Sequence, residues 1–268
     1  MSILQAMLLG AVQGLTEFIP ISSSGHLVLV PAALDWGEPG LAFDVLLHAA
    51  SLLALFVYFS GDLVDLTRGV LARDRDALRL LALLAIATVP AVLAGVLLGD
   101  YFEETFTDEK AAAVQLLITA VILVAAEQAL GYHERRSART GSRLRHVGDM
   151  GAGDAGVIGI AQAVSILPGI SRSGSTIGAG LALSMTRDDA ARFSFLLAIP
   201  ALIGATLVQL PELGGGSLGL GAGAAGFFTS LVSSYVAITA LIRYLRSNTL
   251  YPFAAYCVIA GIAFYLIV

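Results

Sequence analysis

Charged residues are scarce in this sequence. Asp, Glu, Lys and Arg make up 13% of its 268 residues, where a soluble domain carries about 25%. Hydrophobic residues make up 57%, and the mean hydropathy is +0.85. A water-soluble globule is excluded by that balance, and lipid is the solvent it fits. Cysteine is almost absent. The single thiol, Cys257, lies in an apolar run. It rules out a disulfide framework and a CxxC metal site, and acts as a small hydrophobe. Positive charge in excess is also missing: the net charge is −5 and the pI about 5.3. No basic face for nucleic acid follows from that. The first residues lack the basic region and A-x-A site of a cleaved leader, so none is expected.

What the sequence has is long apolar runs. Leu41–Ser60, Leu78–Gly99, Ala111–Leu130, Phe193–Leu210, Leu218–Arg243 and Tyr251–Val268 each reach, or nearly reach, the length needed to cross ~30 Å of hydrocarbon as a helix. Basic residues mark one side. Arg68, Arg73, Arg75 and Arg79 follow the first run, and Arg135, Arg136, Arg139, Arg143 and Arg145 the third. Arg187 and Arg192 precede the fourth, and Arg243 and Arg246 end the fifth. All fall on one side if each run crosses once, and that side is cytoplasmic. The opposite loops carry Asp35, Glu38, Asp100, Glu103, Glu104, Asp108, Glu109 and Glu212. Both termini then face outward.

Two further apolar regions, Ile3–Leu34 and Val157–Met185, are broken by Ser, Gly and Pro. They resemble each other: Pro20-Ile21-Ser22-Ser23-Ser24-Gly25 in one, Pro168-Gly169-Ile170-Ser171-Arg172-Ser173-Gly174 in the other. Each leads, after a similar gap, into a span opening with Phe, at Phe43 and Phe193. Each half is one broken segment plus three spans. Three is odd, so the second half is inverted relative to the first, the plan of many transporters. The expected fold is all-α: one membrane domain over 1–268, with six transmembrane helices and two re-entrant helix-loop-helix segments. The inverted repeats cover about 1–131 and 154–268, joined by a basic loop, 132–153. Irregular backbone at membrane depth must be buried in protein or line a wet cavity. The segments Ser22–Gly25 and Ser171–Gly174 therefore face one pocket.

Ionisable groups inside lipid are costly and point to function. Gln13 and Glu17 are four apart and share a helix face. A carboxylate and an amide oxygen there suit a hard divalent cation, Mg²⁺ or Ca²⁺, with water and phosphate completing its shell. A helix–helix hydrogen bond is the plainer reading. Ser22, Ser23 and Ser24 precede His26, and imidazole is suited to activating a serine hydroxyl. The same serines equally suit a helix N-cap that binds phosphate. Arg172, among Ser171, Ser173 and Thr176, reads as a phosphate cradle. A structural ion pair with Glu17 is the competing reading, and the two are compatible. Asp44 and Glu127 fall near span ends, where charge costs less. His48, one turn from Asp44, pairs with it. The Arg135–Arg145 cluster faces lipid headgroups or water.

On QGLTEFIPISSSGH (Gln13–His26), PGISRSGSTI (Pro168–Ile177) and FSFLLAIP (Phe193–Pro200), the sequence resembles the undecaprenyl-diphosphate phosphatase family of the bacitracin-resistance type. The resemblance extends over essentially the whole chain. It implies a multi-pass plasma-membrane enzyme that removes the terminal phosphate of a polyprenyl diphosphate, recycling the lipid carrier of wall and glycan assembly. It further implies a divalent cation cofactor and a pocket opening to the outer face. By the resemblance, Ser23 matches the nucleophile, His26 the base, Glu17 the acid that orients the cation and Arg172 the group gripping the diphosphate. Gln13, Ser22, Ser24, Ser171, Ser173 and Thr176 surround the substrate. Gln13 stands where many members carry Glu, so a direct metal bond from it is the less secure one. Arg192 stands where an acid is common. The residues leave Ser23 and His26 as alternative nucleophiles, and a homodimer is among the assemblies allowed. A flippase for the lipid monophosphate, or an ion-coupled transporter, is the competing class, since inverted repeats and buried charges fit it equally.

Overall fold

In the computed structural model, residues 1–37, 40–99, 108–209 and 219–268 are described. Among them every regular element is helical. Each broken apolar region forms two helices: α1 (Ile3–Phe18) and α2 (Ser23–Ala33), then α7 (Ala152–Val164) and α8 (Arg172–Ala182). Between them lie α3 (Leu41–Tyr58), α4 (Ser60–Leu71), α5 (Arg75–Leu97) and α6 (Glu109–Thr140). A 3-10 turn at Val147–Asp149 precedes α7. The chain ends with α9 (Arg187–Val208), α10 (Leu220–Leu245) and α11 (Tyr251–Ile267). Five helices, α3, α5, α6, α9 and α10, are long and apolar enough to cross a membrane, and α11 is an apolar helix of 17 residues. The protein is thus an all-helical, polytopic membrane protein. The acids Glu38, Asp100, Glu103, Glu104 and Glu212 lie outside the described residues, as do Leu210 and Leu218 at two span ends.

Two elements differ from the sequence reading. The stretch after Leu130 is not a loop from residue 132: α6 continues to Thr140. Its YHERRSART tail holds good helix formers and no Gly or Pro until Gly141, which ends the helix at φ +71°. The first span ends at Tyr58, and α4 follows as a separate amphipathic helix with no buried residue. Arg143 and Arg145, expected at lipid headgroups or water, both form ion pairs within the protein, and the Arg143 side chain stays exposed. Arg145 forks onto Asp154 at 3.0 and 2.5 Å, and Arg143 meets Asp149 at 3.0 Å.

Packing is closest where side chains are smallest. α1 lies against α10, where a Cβ on Gly10 would meet the Gly226 carbonyl oxygen at 2.4 Å. α7 lies against α5 in the same way, with Gly159 over the Ala87 carbonyl at 2.6 Å. Without a hydrophobic force between helices in lipid, such backbone approach supplies the dispersion that holds them.

The long helix α6 measures depth. Its C-terminal third lies at the basic end, where Arg187 grips Glu127 at 3.1 and 2.7 Å and Glu134 at 3.1 Å. α8 runs along α6 toward that end. Gly174 faces Leu123, Gly178 faces Ala126, and His133 bonds the Ala182 carbonyl at 2.9 Å. α2 runs the other way, its Leu29 packing among Ala112, Ala113 and Leu116 near the start of α6. The N-termini of α2 and α8 therefore meet near Thr119, about 15 Å along α6 from Glu109 at 1.5 Å per residue. That depth is mid-bundle.

Candidate active site

A Pro lies shortly before each meeting N-terminus. In the first segment, α1 stops at Phe18 ahead of Pro20, and Ser22 turns the chain into α2. Ser22 has φ +70°, a conformation L residues rarely adopt, costing of order 1–3 kcal/mol. Its hydroxyl caps the helix, accepting from Gly25 N at 3.3 Å. In the second segment, Ser171 caps α8 by accepting from Gly174 N at 3.0 Å. Thr119 fixes that turn, donating to the Gly169 carbonyl at 2.8 Å and accepting from Ser171 N at 3.0 Å. Gly169 is required here twice over. Its φ is +95°, and a Cβ would meet the Ala112 carbonyl oxygen at 2.3 Å.

Between the two turns is a small cavity of about 40 Å³, lined by Thr16, Glu17, Ser22, Ser23, Ser24, Ser165, Ile170, Ser171 and Arg172. Glu17 is its centre. The carboxylate is buried, and each oxygen is engaged. Oε1 takes a charge-assisted bond from Arg172 Nη2 at 2.6 Å. Oε2 accepts from Ser23 Oγ at 2.5 Å and from Gln13 Nε2 at 3.1 Å. The ion pair that the sequence left as a competing reading for Arg172 is present. It joins residues 155 apart in the chain. The other guanidinium nitrogen, Arg172 Nη1, is buried with no hydrogen-bond partner among the described residues. Two helix N-termini, one cation and a row of hydroxyls converge on this volume, and such a set attracts an anion.

Residues suited to a cation are fewer. Gln13 Oε1 is buried and without a hydrogen-bond partner, beside the Glu17 carboxylate. One carboxylate and one orphaned amide oxygen are hard donors, and they fit Mg²⁺ or Ca²⁺ if phosphate and water supply the rest. Among the described residues no three His, Cys, Asp or Glu side chains cluster for a metal.

Not every expected residue faces the cavity. Ser173 bonds Ser171 Oγ at 3.2 Å and the Ile19 carbonyl at 3.4 Å, tying the turns to each other. Thr176 is spent on the Arg172 carbonyl at 2.8 Å and on Ser194 at 2.6 Å. His26 is not brought to Ser23. Its Nδ1 lies 2.7 Å from the Ser22 carbonyl and its Nε2 2.8 Å from the Tyr256 hydroxyl. His48, by contrast, reaches beyond Asp44 to the site. It bonds the Asp44 carbonyl through Nδ1 at 2.8 Å and turns Nε2 to within 3.9 Å of Glu17 Oε2. Its signal was an imidazole in the middle of an apolar run. Thr119 and Tyr256 carry hydroxyls in such runs too, but only the fold says what they touch. Glu127, beyond its Arg187 pair, accepts from Leu250 N at 2.9 Å and belongs to the basic end.

The sequence is similar to known proteins over nearly its whole length. The family model described as bacitracin resistance protein BacA matches residues 6–263. The chain belongs to the BacA family. An undecaprenyl-diphosphatase of Methanosphaera stadtmanae is 41% identical over 98% of this chain and 96% of its own length. One of Trichlorobacter lovleyi is 40% identical over 98% and 96%. One of Thermomicrobium roseum is 39% identical over 100% and 99%. In this BacA chain the matched region contains both turns and every residue of the cavity.

Proposed function

We infer that the chain is a membrane phosphatase that hydrolyses undecaprenyl diphosphate to the monophosphate and inorganic phosphate. Membership of the BacA family and the relatives' shared activity support this. The observation that carries the chemistry is Glu17, bonded at once to a serine hydroxyl and to a guanidinium.

Arg172 Nη1 and the free N–H groups of the two helix ends bind the diphosphate. Ser23 Oγ attacks the terminal phosphorus while its proton passes to Glu17 Oε2, already within transfer distance at 2.5 Å. The bond to the bridging oxygen breaks, and the lipid monophosphate leaves. Water then attacks the phosphoserine, the Ser23–phosphate bond breaks as Glu17 returns the proton to Ser23 Oγ, and inorganic phosphate departs with the water's oxygen and protons. Ser23 is the better nucleophile than His26, because it lines the cavity beside a carboxylate while both His26 nitrogens are engaged elsewhere. A divalent cation, held by Glu17 and Gln13 Oε1, would neutralise phosphate charge. Positioning and charge stabilisation supply most of the acceleration in such transfers.

The topology proposed is six spans with α1–α2 and α7–α8 as re-entrant pairs, each half the inverted image of the other. Three features favour it: the paired contacts α1 with α10 and α7 with α5, the opposed directions of α2 and α8, and helices in both pairs too short to span alone. The basic end is cytoplasmic by charge. The cavity then opens to the outer side of the plasma membrane.

The test is phosphate release by purified protein in detergent, from C15 to C60 polyprenyl diphosphates, with and without EDTA. Release that EDTA abolishes is expected. A protein that releases no phosphate, yet moves polyprenyl phosphate between leaflets of a vesicle, would be a carrier and would overturn the proposal.

A further inference from the structure

His26 faces away from the cavity, and its bonding shows what it does there. A carbonyl oxygen only accepts, so His26 Nδ1 carries a proton and donates it to the Ser22 carbonyl at 2.7 Å. In the neutral ring Nε2 then holds the lone pair, and Tyr256 fills it by donating its hydroxyl at 2.8 Å. The Tyr256 ring is stacked on the imidazole, with centroids 5.7 Å apart and planes 15° apart, and Phe264 meets it edge-on at 6.1 Å. Both α11 rings thus clamp a histidine that is itself buried. Neither nitrogen is left to take a proton from Ser23.

The residue held is the strained one. Ser22, at φ +70°, sets the direction of the chain entering α2, and so aims the hydroxyl of Ser23 at Glu17 and the cavity. The Ser22 carbonyl also accepts from His26 N at 3.3 Å, and its hydroxyl from Gly25 N at 3.3 Å, so the imidazole bond at 2.7 Å is the shortest of those that hold this turn.

We propose that Tyr256 and His26 form a brace between α11 and the Ser22 turn, both acting as positioning residues for Ser23, with His26 taking no part in proton transfer. This rests on the assignment of Ser23 as nucleophile. Tyr256 would then be a determinant of turnover although it lies on the last helix, 42% exposed to the lipid side and remote in sequence from the motif.

Three variants test it. Tyr256→Phe keeps the ring and loses the hydroxyl. One neutral hydrogen bond corresponds to about a three- to tenfold fall in kcat, with KM unchanged. His26→Ala should lose about 100-fold, the cost of roughly 1 Å of misplacement. His26→Asn puts an amide N–H where Nδ1 stood, and should recover to within about tenfold of wild type, with the pH profile of kcat/KM keeping its limbs. An Asn variant no faster than His26→Ala, with a residual rate that lacks the acidic limb, would make His26 the base and overturn the brace, as would Tyr256→Phe at wild-type kcat. Histidine-selective ¹⁵N spectra give a second readout, independent of turnover. Among the four imidazoles, one should show a slowly exchanging Nδ1–H and move its Nε2 resonance in Tyr256→Phe. A wild-type protein that releases no phosphate, with these spectra as expected, would instead remove the phosphatase reading and leave the brace.

Discussion

Replacing Glu17 by Gln separates the two jobs its carboxylate performs. The side chain keeps its size, so the cavity keeps its shape. What is lost is the acceptor of the Ser23 proton and the negative charge facing Arg172. Loss of a general base costs about 10²–10⁴ in kcat, or about 3–5 kcal/mol. Binding should move the other way. In the ligand-free protein Arg172 is held by Glu17 at 2.6 Å, and an incoming diphosphate must compete with that bond. A charge-assisted hydrogen bond is worth about 1.5–3 kcal/mol, so its removal should tighten anion binding by about tenfold or more. The assays are phosphate release for kcat and calorimetric titration with a non-hydrolysable farnesyl methylenediphosphonate for affinity, the latter also in EDTA to remove any cation held by residue 17. A variant that turns over at more than about one tenth of the wild-type rate would refute Glu17 as the proton acceptor. A variant that binds the analogue more weakly in EDTA would refute the competition for Arg172.

Three further variants probe what holds the site in place. A Cβ on Gly14 would meet Ser233 Oγ at 2.0 Å and the Ser230 carbonyl oxygen at 2.5 Å. Gly14→Ala should therefore pry α1 from α10, costing about 1–3 kcal/mol and lowering the melting temperature in detergent. Gly95→Ala, with nothing within 4 Å of its Cβ, should leave melting unchanged or raise it; equal melting of the two variants would deny the close packing. Glu127→Gln leaves Arg187 with a weakened partner at the basic end. Breaking a buried pair costs about 3–5 kcal/mol, at the lower end here because the Arg187 side chain is 21% exposed. Melting should fall while kcat per folded molecule holds, and a variant with normal melting and lost turnover would place Glu127 in the chemistry.

Composition alone decided that this chain lives in lipid, because 13% charge cannot cover a soluble globule. Local pattern decided more. Apolar run length gave the spans, and the spacing of Gln13 to Glu17 put both on one face. The cost of charge in lipid singled out Glu17 and Arg172 before any contact was known. Such facts are legible because they depend on neighbours in the chain. Tertiary structure decided the rest, since the partners lie far apart along it. Ser23 reached Glu17 rather than His26, because the turn at Ser22 sends the imidazole back toward Tyr256, 230 residues away. His48 is a neighbour of the Glu17 carboxylate as well as a partner of Asp44 because α3 packs on α1. Serines that read as one phosphate cradle divided into those lining the cavity and those, like Ser173, that stitch the turns together. A motif fixes which groups are available; only the packing of helices whose backbones nearly touch fixes which of them meet.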